Sequence, residues 1–195
     1  MSALNEITVY LLQTFLSLYL VAMLLRFLLQ LVRADFYNPV SQFLVKITNP
    51  VLIPMRRIIP GFGGLDVAAL VIAIVLQMIA IALLMALNGI GLPGVITLLV
   101  WAVLGVIGLL INIYFFALLA TIILSWIAPG SSHPVLYRLQ QITEPVMAQV
   151  RQLLPPMGGL DLSPILLFIL INIIQIALRH VSAAAGLHPA LVIGI

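Results

Sequence analysis

Four stretches of the chain stay apolar long enough to cross a bilayer, and shorter stretches rich in polar residues, proline and glycine separate them. The long runs lie near residues 9–32, 65–87, 104–127 and 161–178. A hydrocarbon core of about 30 Å takes about 20 helical residues to cross. These runs do not alternate polar and apolar as barrel strands would, and a lipid-embedded backbone must satisfy its own hydrogen bonds. The pattern therefore predicts an all-α, polytopic membrane protein with four transmembrane helices.

The long loops carry a second pattern. Val40, Phe43, Leu44 and Ile47 fall at i, i+3, i+4 and i+7. Val135, Leu136, Leu139 and Ile142 nearly repeat that spacing. Each set predicts an amphipathic helix beside the membrane. Asn38 before Pro39 reads as an N-cap with proline in the first turn, and His133-Pro134 repeats the proline. Pro50 and Pro145 are expected to stop these helices, with a second short segment running on to Pro60 or Pro155.

The loops resemble each other further. TNPVLIPMRRIIPGFGGLD at 48–66 returns as TEPVMAQVRQLLPPMGGLD at 143–161, with nine of nineteen positions identical at an offset of 95. The offset also maps Tyr19 to Tyr114 and Gln77 to Asn172. The repeat unit is span, loop, span. Two spans per unit give both copies one orientation, which predicts parallel tandem repeats about a pseudo-two-fold axis along the membrane normal. The expected division is 1–90 for the first repeat, 91–103 for an extra apolar connector, 104–182 for the second repeat and 183–195 for an apolar tail. A helix running from the connector through the third span would exceed the bilayer, so tilt or a break near Gly105 or Gly108 is expected. The tail is too short to span and is expected at the interface or against the bundle. Gly63-Gly64 and Gly158-Gly159 permit a sharp turn. Asp66 and Asp161 follow as caps at the starts of spans.

Composition agrees with this architecture. Of 195 residues, 64% are hydrophobic and 7% charged, and the mean hydropathy is +1.31. Soluble domains carry about 25% charged residues. A net charge of +3 does not argue for nucleic acid. The absence of cysteine excludes disulfides and thiolate metal sites. The first run lacks the basic leader and small-residue cleavage site of a signal peptide, so it is expected to persist as a span.

Charge placement sets orientation. Arg33, Lys46, Arg56, Arg57, Arg138 and Arg151 lie in the two long loops, against Arg179 alone on the other side. The repeated loops are therefore expected to be cytoplasmic and both termini outside. Lys46, Arg56, Arg57, Arg138 and Arg151 are candidates for binding anionic lipid headgroups or a partner. Each such charge contributes about 1 kcal/mol near an anionic surface, and plain topological anchoring is the simpler role.

Inside the membrane, Tyr19, Arg26, Gln77, Asn112, Tyr114 and Asn172 form a candidate polar layer. Tyr19, Arg26, Gln30 and Arg33 share one helical face. Gln77 and Asn172 are expected to turn inward and bond to Tyr19, Asn112 or Tyr114. Such groups fix helix packing, or line a solute path between the repeats. His133, His180 and His188 lie at span edges or in loops, so no metal and no cofactor is expected. No nucleophile-elbow or HExxH spacing points to an enzyme.

The run LLRFLLQLVRADFYNPVSQFLVKITNPVLIPMRRIIPGFGGLD resembles the YggT family of small bacterial inner-membrane proteins, which has plastid and cyanobacterial relatives. The resemblance covers both repeats. The second copy departs from the motif at Glu144, Gln149 and Gln152. The resemblance implies a non-enzymatic protein of the bacterial inner membrane. It implies roles in osmotic or ion homeostasis, in division or nucleoid placement, or in assembly of a membrane complex. Four spans make a thin path for a solute, and a homo-oligomer would enlarge it. The alternative is a channel or transporter subunit with its polar layer at the repeat interface.

Overall fold

The computed structural model describes residues 3–61, 64–127, 134–153 and 161–195. Its helices are α1 (Ala3–Leu31), α2 (Pro39–Arg56), α3 (Val67–Leu87), α4 (Val95–Ile127), α5 (Pro134–Leu153) and α6 (Ser163–Ala184), followed by a 3₁₀ turn at Pro189–Leu191. No strand occurs among the described residues. α1, α3, α4 and α6 are each long and apolar enough to cross a membrane.

Local chemistry explains where the helices begin. Asn38 caps α2 by accepting the backbone N–H of Ser41 at 3.0 Å, with Pro39 in the first turn. Asp66 caps α3 by accepting from Ala69 N–H at 3.3 Å. Asp161 departs from its expected role. The cap of α6 is Leu162, which makes no side-chain cap bond, and Asp161 sits one residue earlier, accepting the Ser163 N–H at 2.9 Å.

Three helix ends share one device. The chain turns left-handed at Arg33, Gly89 and Gly186, and the next N–H returns to a carbonyl five residues back. This is a Schellman closure, usually made by glycine because a Cβ is disfavoured there. Arg33, with φ of +51°, makes it without that relief. Gly64 also has a positive φ, at +86°, in the turn before α3. Gly63, Gly158 and Gly159 lie outside the described residues.

One expectation about helix continuity is corrected, and another, tilt or a break in α4, is narrowed to its first alternative. The prolines do not stop the amphipathic helices: α2 continues through Pro50 and Pro54 to Arg56, and α5 through Pro145 to Leu153. A proline removes one ladder bond and disturbs the carbonyl four residues back, here that of Lys46. The carbonyls on either side of it, Val45 and Ile47, receive Arg26 and the Tyr19 hydroxyl from α1 at 3.5 and 3.4 Å. Nor does α4 break at Gly105 or Gly108. It runs 33 residues, about 50 Å at 1.5 Å per residue.

α1 packs on α3, α3 on α4, and α4 on both α5 and α6, while α3 and α6 do not touch. α2 lies against α1 and α3, and α5 against α4 and α6. The largest core cluster joins α1, α2, α3 and α4 around Leu20, Met23, Leu24, Leu52 and Ala73. A smaller one joins α4, α5 and α6 around Leu118, Met147 and Leu167. A third joins the C-terminal half of α3 and the start of α4 to the tail, which contributes Leu187, Leu191 and Val192 beside Ile81, Leu84 and Trp101.

The tail is thus part of the interior. Gly186 reverses the chain after α6, and Leu191, Val192 and Ile193 are buried. The glycines of α4 make room for it. A side chain at Gly105 would meet Val192 and Gln77, and one at Gly108 would overlap the Gly194 carbonyl. In a membrane, where apolar burial gives little drive between segments, small residues that let backbones approach take over that role.

Candidate functional site

The polar side chains gather at three places: one junction in each repeat, where the amphipathic helix meets the following span, and an amide layer at mid-span.

In the first junction α1 supplies the ligands and α2 the groups they hold. The Arg26 guanidinium, 5% exposed, donates from Nη1 to Thr48 Oγ1 and to Asn49 Oδ1 at 2.8 Å. Thr48 passes its own hydroxyl to the Leu44 carbonyl at 2.6 Å. One turn along α1, Gln30 accepts from Arg56 Nη2 at 3.0 Å, and the same guanidinium forms an ion pair with Asp66. Asp66 is 2% exposed. The shared face of Tyr19, Arg26 and Gln30 is therefore the seat of α2. Arg33, the fourth member expected on that face, is exposed beyond the helix end. Thr48, Asn49 and Gln30 carry as much of this junction as the arginines do. The recurrence of Thr48 as Thr143 is the sequence signal for the first of them.

The second junction keeps the plan and changes the charges. Arg151 Nε meets Asp161 at 3.0 Å, and its Nη1 meets Glu144. Thr143, buried, donates to the Leu139 carbonyl at 3.0 Å, as Thr48 does to Leu44. Thr121 stands where the offset places Arg26, and it donates to Ala117 on its own helix. Hydrogen bonds from Arg151 to Glu144 first, and to Asp161, hold the guanidinium charge more firmly than usual. The Ser163 hydroxyl first, then the Ser163 N–H and Arg151, hold the Asp161 carboxyl below its ordinary range.

The expected headgroup-binding set divides. Arg56 and Arg151 are engaged as described. Arg138 is buried, donating to Gln141 Oε1 and pairing with Asp35 at 3.4 Å, so it ties α5 to the α1–α2 loop. These three do not present free cations. Lys46 and Arg57 are exposed and have no carboxylate partner among the described residues, and Arg33 shares that state.

The amide layer differs most from expectation. Gln77, fully buried, sits at the midpoint of α3 and donates to the Ile193 carbonyl at 3.0 Å. Asn112 donates to the Gly194 carbonyl at 3.2 Å and accepts from Gln175 at 2.9 Å. Trp101 donates to the Ala185 carbonyl at 2.9 Å. Asn172, matched with Gln77 by the offset, is exposed and among the described residues bonds to Phe168 one turn back on its own helix. The reason is packing. α6 lies against α4 and α5 and not against α3, so the inward amide of α6 is Gln175. Tyr114 packs against the main core and Tyr19 reaches α2. Tail carbonyls, which no residue-type pattern reveals, are the partners that sequence reasoning missed. No group of three metal-ligating side chains stands together among the described residues.

Comparison with known proteins agrees with this architecture. A Pseudomonas aeruginosa protein, PA0392, is 49% identical over 193 residues, covering 98% of each chain. The YggT protein of Escherichia coli K12 is 41% identical over 183 residues, 93% of this chain and 94% of that one. The YlmG homolog protein 2 of Arabidopsis thaliana chloroplasts is 37% identical over 62 residues, 32% of this chain and 24% of that one. No solved structure matches. The family described as CCB3/YggT matches twice, over residues 5–87 and 100–182. With both matches and relatives of this similarity over nearly its whole length, the chain belongs to the CCB3/YggT family.

Proposed function

We propose that this is a non-enzymatic protein of the bacterial inner membrane whose first-repeat loop, on the cytoplasmic side, engages anionic lipid headgroups. One observation carries the reading. Of the loop cations, Lys46, Arg57 and Arg33 alone are both exposed and without a carboxylate partner among the described residues, and all belong to the first repeat. Tyr37, Phe43, Ile53 and Ile58 of the same segment are exposed too, and an interfacial surface needs such apolar groups beside its cations. Contributions of about 1 kcal/mol per charge sum to a useful preference without a built pocket. A role in envelope or osmotic and ion homeostasis, with a membrane complex as partner, rests on the resemblance. The channel or transporter alternative has less support, because Gln77 and Asn112 each donate to a carbonyl of the tail and so hold it in the bundle.

The test is lipid retention on purification from a mixed bilayer of phosphatidylglycerol and phosphatidylcholine, read by native mass spectrometry. The wild-type protein is expected to keep phosphatidylglycerol. Lys46→Glu with Arg57→Glu is expected to lose most of it, and Arg151→Glu little. Retention equal in all three proteins would overturn the reading.

A further inference from the structure

The two junctions follow one plan, so the first shows what the second lacks. In the first, a guanidinium on an apolar stem comes from α1, lies against Thr48 and Asn49, and closes the space between α1 and α2. In the second, the supplying residue is Thr121, too short to cross. Its absence leaves a cleft of about 960 Å³ between α4, α5 and α6, with Thr121, Thr143 and Glu144 on its wall. Leu118, Met147 and Phe168 give it an apolar floor.

Charge changes in the same sense as shape. The first junction holds Arg26, Arg56 and Asp66, two cations and one carboxylate. The second holds Arg151, Glu144 and Asp161, one cation and two carboxylates. Asn49, which accepts from Arg26, has become Glu144, a stronger acceptor for a cation. Loss of the arginine and gain of the carboxylate both leave room for one positive group.

We propose that the second-repeat cleft binds an amphiphilic cation, a guanidinium or primary ammonium on an apolar stem, in the place that Arg26 fills in the first repeat. The head sits against Thr143 and Glu144, and the stem lies on Leu118, Met147 and Phe168. Glu144 can turn to the ligand without stranding Arg151, which keeps Asp161 at 3.0 Å. The cleft is mostly apolar and Glu144 is half exposed, so the stem of such a ligand is buried while its head stays near water. The site is separate from the first-repeat surface proposed above, and either can fail alone.

The test is calorimetric titration of the full-length protein in phosphatidylcholine nanodiscs, with empty nanodiscs subtracted. Hexylguanidinium and hexylammonium are the probes, and hexanoate and hexanol the controls. Saturable binding of both cations and of neither control is expected. Glu144→Gln is expected to weaken binding at least tenfold. Thr121→Arg, which installs the first repeat's own occupant, is expected to abolish it while raising the unfolding temperature. Asn49→Glu in the first repeat is expected to leave it unchanged. No saturable binding to wild type, equal binding of hexanoate, or unchanged affinity in Glu144→Gln would each overturn the proposal. Should Thr121→Arg fail to fold, Glu144→Gln still decides.

Discussion

The first junction is closed and the second is open, although both share the threonine, the arginine and the aspartate at matching positions. Arg56 and Arg151 meet Asp66 and Asp161 ten residues on in each case. Yet Asp66 is 2% exposed and the Asp161 side chain 37%. The difference comes from outside the motif, from the helix before it. α1 contributes Arg26 and Gln30 to seal the first junction, whereas α4 contributes Thr121. A repeated motif can therefore hold a helix start in both copies while only one copy is locked. The sealed copy fixes the loop that bears the free cations. The open copy has both space and surplus negative charge.

Breaking the seal should give the largest effect. Arg26→Met removes a guanidinium that bonds Thr48 and Asn49, and leaves the buried Thr48 and half-buried Asn49 of α2 without that donor. Hydrogen bonds to charged groups contribute about 1.5–3 kcal/mol. A loss of about 3 kcal/mol is expected, read as a fall in thermal or detergent-induced unfolding midpoint. Thr121→Val at the matching position should stay within about 0.5 kcal/mol, the range of changes that touch no special feature. Equal losses in the two variants would erase the distinction between the junctions.

Next come the carboxylates. Asp66→Asn removes the buried partner of Arg56, whose guanidinium is 34% exposed and keeps Gln30, so the cost is expected at about 2 kcal/mol, below that of a fully buried pair. Asp161→Asn acts on an exposed pair with a second carboxylate at hand and is expected to cost under about 1 kcal/mol. The same unfolding assay measures both, and the reverse order would show that burial does not govern these pairs.

The mid-span amides extend the comparison. Gln77→Leu releases the Ile193 carbonyl and should cost about 0.6 kcal/mol and rarely more than about 1.7. Amide hydrogen exchange over residues 187–195 is expected to rise in that variant. Asn172→Leu removes only a bond within α6, so tail exchange should stay at the wild-type level. Faster exchange in Asn172→Leu would place the tail differently.

The smallest effect is in pH. The Asp161 carboxyl is held below its ordinary range, so its contribution is fully present above about pH 4, the usual unfolded value. It is lost as pH falls through the lower folded value. Solvent screening keeps it small. Any gap in unfolding midpoint between wild type and Asp161→Asn is expected to shrink as pH is lowered from 5 to 3. A gap that widens would contradict the sign.

The sequence by itself determined the four spans, because twenty apolar residues in a row have only helices available to them in lipid. It also determined the capped start at Asn38, the cap at Asp66 and the shared face of Tyr19, Arg26 and Gln30, all of which follow from contacts or spacing within a few turns. Tertiary structure decided what those faces meet. Pro50 looks like a stop until Tyr19 and Arg26 arrive at the neighbouring carbonyls. Arg138 looks like a surface cation until Asp35 comes to it across 103 positions. Gln77 and Asn172 look like equivalents that both turn inward until α6 is seen to pack away from α3, leaving Gln77 to the backbone of the tail and Asn172 exposed. A side-chain pattern records the period of an element and the chemistry of its ends. It does not record backbone carbonyls as acceptors, nor which helix stands opposite, because those depend on chain segments far apart in sequence.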